Sequence, residues 1–115
     1  MCNIHEVPSS SRIQLLNDRF RTKWIGNGSL VITVGVKDQG ELFVREAVRA
    51  VREFHTFTPD NDPWHEHDFG SVELSGEKLF WKIDYYNLDL SAGSEDPADE
   101  TRTHRVLTVM LASEY

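Results

Sequence analysis

The chain has one cysteine and no long apolar run, and each shortage excludes a class of protein. Because Cys2 stands alone, no intrachain disulfide can form, and a zinc site would need other ligand types. No apolar stretch approaches the ~20 residues of a membrane-spanning helix. The opening residues, MCNIHEVPSS, show neither the basic nor the apolar segment of a secretion signal. We therefore expect a cytoplasmic protein without a membrane partner.

Familiar catalytic motifs are also missing. The sequence contains no H-E-x-x-H zinc motif and no G-x-S-x-G nucleophile motif. The segment GNGS at 26–29 lacks the G-K-[ST] ending of a phosphate-binding loop. The sequence thus names no reaction, and we expect neither a metal nor a cofactor.

Basic residues are scarce in the second half of the chain. Residues 1–52 carry eight Lys/Arg against five acids, or +3, and residues 53–115 carry four against fourteen, or −10, which together give −7. This total disfavours direct binding to duplex nucleic acid, since phosphate contacts dominate such affinity. Two interpretations remain: the acids serve solubility, or they form a surface that binds a basic protein.

Enough apolar material is present for one folded domain over residues 1–115, with residues 1–10 as a loose N-terminal segment. Hydrophobic residues make up 39% of the chain, including three Trp and six Phe. Their periodicity predicts the order α-β-α-β-β-α. We expect an α+β fold in which helices pack on a small, mainly antiparallel three-stranded sheet. The predicted helices begin near Ser9, Glu41 and Asp99, and the first predicted strand covers residues 29–36.

The predicted second helix, over residues 41–54, carries an apolar stripe and a basic stripe. The basic stripe is either an ordinary solvated face or a site for an anion or an acidic partner. The apolar stripe consists of Val44, Val48 and Val51, and the basic stripe of Arg45, Arg49 and Arg52.

The segment SVELSGEKLFWKIDYY, residues 71–86, predicts a hairpin. If Gly76 and Glu77 form a type II′ turn, paired residue numbers sum to 153. Extending that register places His67 opposite Tyr86 and near Asp84. Four residues on this face, His67, Lys82, Asp84 and Tyr86, are therefore candidate catalytic residues of a small enzyme. The alternative is that Lys82 and Asp84 form a charge pair on a half-exposed sheet face.

The polar stretch FTPDNDPWHEHDFG, residues 57–70, precedes this hairpin. His65 and His67 are spaced for one face of a strand, and Asp60 and Asp62 could add oxygen ligands to a metal. The spacing matches no EF-hand, however, and TPDNDP has good turn chemistry. We interpret it as a structured turn.

Six motifs resemble, in order, a bacterial family of proteins of unknown function that is common on proteobacterial plasmids and mobile elements. They are LNDRFR, FTPDNDP, EHDFG, FWKIDYY, SEDPAD and RVLTVMLASEY, within residues 12–115. His67 matches the family pattern, whereas His65 stands where relatives have Gly, which weakens the metal interpretation. The resemblance implies no activity.

Charge and resemblance together suggest a small acidic interaction protein, such as an anti-CRISPR or anti-restriction inhibitor. Its partner would be a basic protein that handles nucleic acid, bound through carboxylates that mimic phosphates. Self-association is a further possibility, and the small enzyme is the alternative. The candidate partner-binding residues are Asp60, Asp62, Glu66, Asp68, Glu95, Asp96 and Asp99.

Overall fold

A computed structural model describes residues 9–115. The expected loose segment 1–10 therefore lies outside the described residues, except for Ser9 and Ser10, which begin the first helix. Helices cover α1 (Ser9–Lys23), α2 (Val34–Lys37) and α3 (Glu41–Glu53), and strands cover β1 (Gly28–Ile32), β2 (Phe69–Leu74), β3 (Glu77–Tyr86) and β4 (His104–Leu111). No helix in this part of the chain is long and apolar enough to cross a membrane.

The first and third helices form where the hydrophobic pattern predicts them. Ile13, Leu16 and Phe20 of α1 are buried, because their spacing places them on one face of the helix. On α3, Ala47 and Val51 are buried, whereas the basic stripe of Arg45, Arg49 and Arg52 is exposed to solvent. Both helix predictions are confirmed.

The sheet has four strands in the order β1-β4-β3-β2. Neighbours β2 and β3, and β3 and β4, are antiparallel, whereas β1 pairs with β4 in parallel. The α+β class is confirmed, but the three-stranded antiparallel sheet is corrected to a four-stranded mixed one. The difference arises from the C-terminal segment.

The predicted last helix, over residues 99–113, is wrong, because this segment forms the central strand β4. Its apolar residues fit a helical stripe, but they also alternate: Leu107 and Val109 are fully buried on one face. Short apolar runs are ambiguous in this way, and β-branched residues favour the strand. The strand wins because it pairs with neighbours on both sides, which no local pattern reveals.

The strand predicted over residues 29–36 is also too long. β1 ends at Ile32, and α2 begins at Val34. Val36 is fully buried while Val34 is 69% exposed, so the alternation does not continue. The helical turn lets the Gly35 amide donate to the Glu114 carboxylate at 3.0 Å, a contact to the far end of the chain.

The hairpin forms, but with a different register. Leu74 pairs with Glu77, so the turn is Ser75–Gly76 and paired numbers sum to 151 rather than 153. Both turn residues have positive φ, 52° and 81°, as a type I′ turn requires, rather than the predicted type II′ turn. The observed and predicted registers differ by two residues, so each side chain still lies on the predicted face of the hairpin.

The helices of the described residues pack on one face of the sheet. This face carries Trp81 and Leu79 of β3, which are fully buried against α3 and its neighbours. The opposite face carries Phe80, Lys82 and Asp84, which are partly exposed.

Candidate functional site

Two polar loops, residues 54–68 and 87–103, lie against α1. Gln14 donates through Nε2 to the His65 carbonyl at 2.7 Å, which holds the first loop. Arg12 donates through Nε to the Ala98 carbonyl at 3.5 Å, which holds the second. One helix therefore anchors both loops, and we call the surface that their acids form the acidic end.

A buried polar network lies beneath this end. Asn17, which is fully buried, accepts from Arg105 Nε at 2.6 Å. Its Nδ2 donates to the Tyr85 oxygen at 2.8 Å and to the Glu66 carbonyl at 2.9 Å. Arg105 also donates to the Pro97 carbonyl at 2.6 Å. The network therefore joins α1, β3, β4 and both loops. Each of its polar groups would cost on the order of 1–3 kcal/mol if it were buried without a hydrogen-bond partner.

Carboxylates crowd the edge of this network. Tyr85 donates its hydroxyl to Glu66 Oε1 at 2.9 Å, and burial raises the pKa of Tyr85. Asp68 is half-buried, and its pKa is raised first by burial and then by the negative charges of Glu66, Asp62 and Asp84. Asp68 thus lies close enough to the other three acids to be repelled by them, which opposes folding when it is ionised.

Asp62 shapes the first loop from within. It is 3% exposed, and Oδ1 accepts from the amides of Glu66 and His67, both at 3.1 Å. Upstream, Thr58 and Asn61 exchange side-chain-to-backbone bonds at 2.9 and 3.3 Å. The turn interpretation of TPDNDP is therefore confirmed, and the Asp62 carboxylate is occupied inside the chain.

His67 faces α1. Its Nδ1 lies 2.9 Å from Asp18 Oδ1, and its Nε2 lies 3.5 Å from Asp62 Oδ2. The ring stacks on Phe57 with centroids 3.7 Å apart. The hydrogen bond between Nδ1 and Asp18 ties the first loop to the helix.

The predicted position of His67 opposite Tyr86 is wrong, because β2 begins only at Phe69, which pairs with Lys82. The four candidate catalytic residues do not come together: His67 lies on the helix side, whereas Lys82, Asp84 and Tyr86 lie on the other face of the sheet. Lys82 Nζ is 3.1 Å from Asp84 Oδ2, and each side chain is 39% exposed. This geometry is that of a charge pair on a half-exposed face.

The remaining candidate acids belong to the loop surfaces. Asp60 is exposed, and Glu95 is exposed beside Arg102, with Oε1 3.0 Å from its Nη2. Asp96 accepts from the Ala98 amide at 3.2 Å. Asp99 accepts from the hydroxyl and the amide of Thr101, and these bonds lower its pKa.

Asn17, Asp18 and Arg21 contact these loops from α1, and none of them was among the predicted site residues. A signal existed, because all three are polar residues beside the buried stripe of Leu16 and Phe20. Within residues 9–115, no group of three or more His, Cys, Asp or Glu side chains is arranged to hold a metal ion.

This arrangement defines a class: an α+β domain with helices on one face of a four-stranded mixed sheet and an acidic end over a buried polar network. The chain belongs to the family DUF3768, described as proteins of unknown function, whose sequence model matches residues 32–114. No curated protein and no solved structure matches the chain.

Proposed function

We propose that this protein is a binding module whose acidic end docks on a basic protein that handles nucleic acid. The observation that carries the proposal is the carboxylate cluster of Glu66, Asp68 and Asp84, which are each partly exposed, with the buried Asp62 beside it. The charges of the other three contribute to the raised pKa of Asp68. Holding like charges close together lowers the stability of a protein. Such arrangements are more frequent at functional sites than elsewhere on a protein.

The surrounding surface extends this cluster. On the two loops that α1 anchors, Asp60 and Glu95 are exposed and Asp99 is partly exposed. Carboxylates spaced along such a surface can occupy the Arg- and Lys-lined groove that normally receives phosphates. The −10 charge of residues 53–115 adds long-range attraction to such a groove.

The sharper form of the proposal is inhibition of a defence nuclease or a CRISPR surveillance complex in the cytoplasm. The resemblance to plasmid and mobile-element proteins supports it, because such elements gain from blocking these enzymes. We do not propose an enzyme on His67, Lys82, Asp84 and Tyr86, since these side chains lie on two different faces of the sheet.

The test is binding of the purified protein to an immobilised restriction nuclease or CRISPR complex at 50 and 300 mM NaCl. We expect binding that weakens at high salt and falls at least tenfold in the triple variant Asp60→Asn, Glu95→Gln, Asp99→Asn. Asparagine at position 99 can still accept from Thr101, so the loop should fold.

The matched control is Glu46→Gln, Glu73→Gln, Glu77→Gln, which removes the same charge from α3 and the hairpin. It should bind almost as well as the wild type. Equal losses in the two triple variants would reduce the effect to net charge and contradict a specific acidic end. Absence of binding at 50 mM NaCl to every nuclease and complex would overturn the proposal.

A further inference from the structure

A concave surface lies between the last turn of α1 and α3. The cavity measures about 660 Å³ and is lined by Thr22, Arg45, Val48, Arg49, Arg52 and Glu53. We call it the arginine groove. Three of its six residues are the basic stripe of α3, so the stripe borders a concavity and is not simply a convex solvated face.

The guanidinium groups differ in how firmly they are held. Arg52 donates through Nη2 to the Thr22 carbonyl at 3.1 Å and lies over the ring of Trp24, 5.5 Å from its centroid. Arg49 bonds Glu53 through Nε at 3.3 Å, and the two side chains are 78% and 67% exposed. Arg45 is exposed. Arg49 and Arg45 therefore keep donors that a ligand could use.

The position of Glu53 indicates the ligand chemistry. Its carboxylate already lies in the groove on Arg49, so the groove accommodates a carboxylate on a short side chain. Arginine presents a planar fork of donors that matches a carboxylate in two-point contact. Val48 adds an apolar patch to the lining, which suits the methylene groups of a peptide.

We propose that the arginine groove binds an acidic peptide segment of a partner protein. A long nucleic acid is the less suitable occupant, because its phosphates would be repelled by a molecule of net charge −7. The binding of a short acidic segment depends mainly on the charges nearest to it, because salt screens charges that are more than about 8 Å away. Arg12, near the start of α1, bonds the second loop, whereas the groove lies at the end of this 15-residue helix, which is roughly 22 Å long. The acids of that loop, Glu95 and Asp99 among them, are therefore screened from the groove.

This inference does not depend on the proposed function, because it uses other residues and the opposite charge. The probe is a fluorescein-labelled ten-residue peptide of alternating Glu and Leu, titrated with the full chain at 50 mM NaCl and followed by anisotropy. We expect Arg45→Gln, Arg49→Gln to weaken binding at least tenfold. Glu53→Gln should strengthen it, because Arg49 loses its internal competitor.

The matched control is Arg102→Gln, which removes an exposed positive charge at the acidic end and should leave peptide binding within about twofold, as expected for a distant, screened site. Circular dichroism melts check that each variant folds, and Arg52 is left intact because it bonds α1. Three results would overturn the proposal: peptide binding unchanged in the double variant, equal binding of a peptide with Gln in place of Glu, or tighter binding of a ten-nucleotide oligo-dT with the same arginine dependence.

Discussion

Single buried polar residues connect the parts of this molecule. Arg21 is 2% exposed, and its Nη1 donates to the carbonyls of Val51 and Phe54 at 2.8 and 2.9 Å, which ties α1 to the end of α3. Burial lowers the pKa of Arg21, and the nearby carboxylate of Asp18 opposes the shift. Arg21 also packs over Trp81, with 4.9 Å from Cζ to the ring centroid. The buried guanidinium of Arg21 fixes how α1 and α3 pack, because few other arrangements of the two helices would give it these carbonyl partners.

Asp68 gives a prediction at this scale. The pKa of Asp68 is raised in the folded protein, so protonation of this carboxyl group favours folding. The stability that the protonated form contributes is lost as pH rises through the raised pKa. At pH 7 the charged carboxylate therefore destabilises the protein. We expect Asp68→Asn to raise Tm by a few degrees at pH 7 and by less as pH falls toward 4.

Thermal melts of both proteins at pH 4, 5, 6 and 7 check this. The control is Glu73→Asn, at an exposed site on the hairpin, which should change Tm little at any pH. A lower Tm for Asp68→Asn at pH 7 would mean that the carboxylate is stabilised by contacts, contrary to the cluster described above.

At the scale of elements, the hairpin turn sets how β2 meets β3. Ser75 has φ of 52° and Gly76 has φ of 81°. Glycine adopts such angles without strain, whereas serine does so less readily than asparagine. The turn therefore carries a residue that is not optimal for its conformation.

We expect Ser75→Asn to stabilise the protein by a few tenths of a kcal/mol, roughly 0.5, because Asn-Gly is the preferred type I′ pair. Ser75→Val should destabilise it by about 1 kcal/mol or more, since a β-branched residue is strained at positive φ. Urea unfolding measures both changes. The reverse order would argue for the type II′ turn at Gly76–Glu77 and the register that sums to 153.

At the scale of the whole molecule, charge is unevenly distributed along the chain, with +3 in residues 1–52 and −10 in residues 53–115. Nine of the fourteen acids in residues 53–115 lie in the two loops 54–68 and 87–103, where their mutual repulsion opposes folding. Salt screens such repulsion over about 10 Å at 0.1 M.

We therefore expect Tm to rise between 20 and 300 mM NaCl at pH 7. The triple variant Asp60→Asn, Glu95→Gln, Asp99→Asn should show a smaller rise, because fewer charges remain to be screened. Differential scanning calorimetry of both proteins provides the measurement. A Tm that falls with salt would show that attractive ion pairs outweigh the repulsion.

The sequence by itself determined the features that depend on near neighbours along the chain. Ile13, Leu16 and Phe20 are spaced for one face of a helix, and TPDNDP bonds its own backbone as a turn. The hairpin strands and their two faces followed from alternation, whose period of two survives a two-residue error in register. Each of these predictions rests on geometry within a few residues.

Only the tertiary structure decided the rest. β4 is a strand because it lies between β1 and β3 in the sheet, although its apolar spacing also suits a helix. His67 bonds Asp18, 49 residues away, and Asn17 bonds Arg105, 88 residues away. A local pattern carries no information about which distant group will share a buried space. These pairings exist because packing the helices on the sheet leaves polar groups inside, where most of them hydrogen-bond to one another.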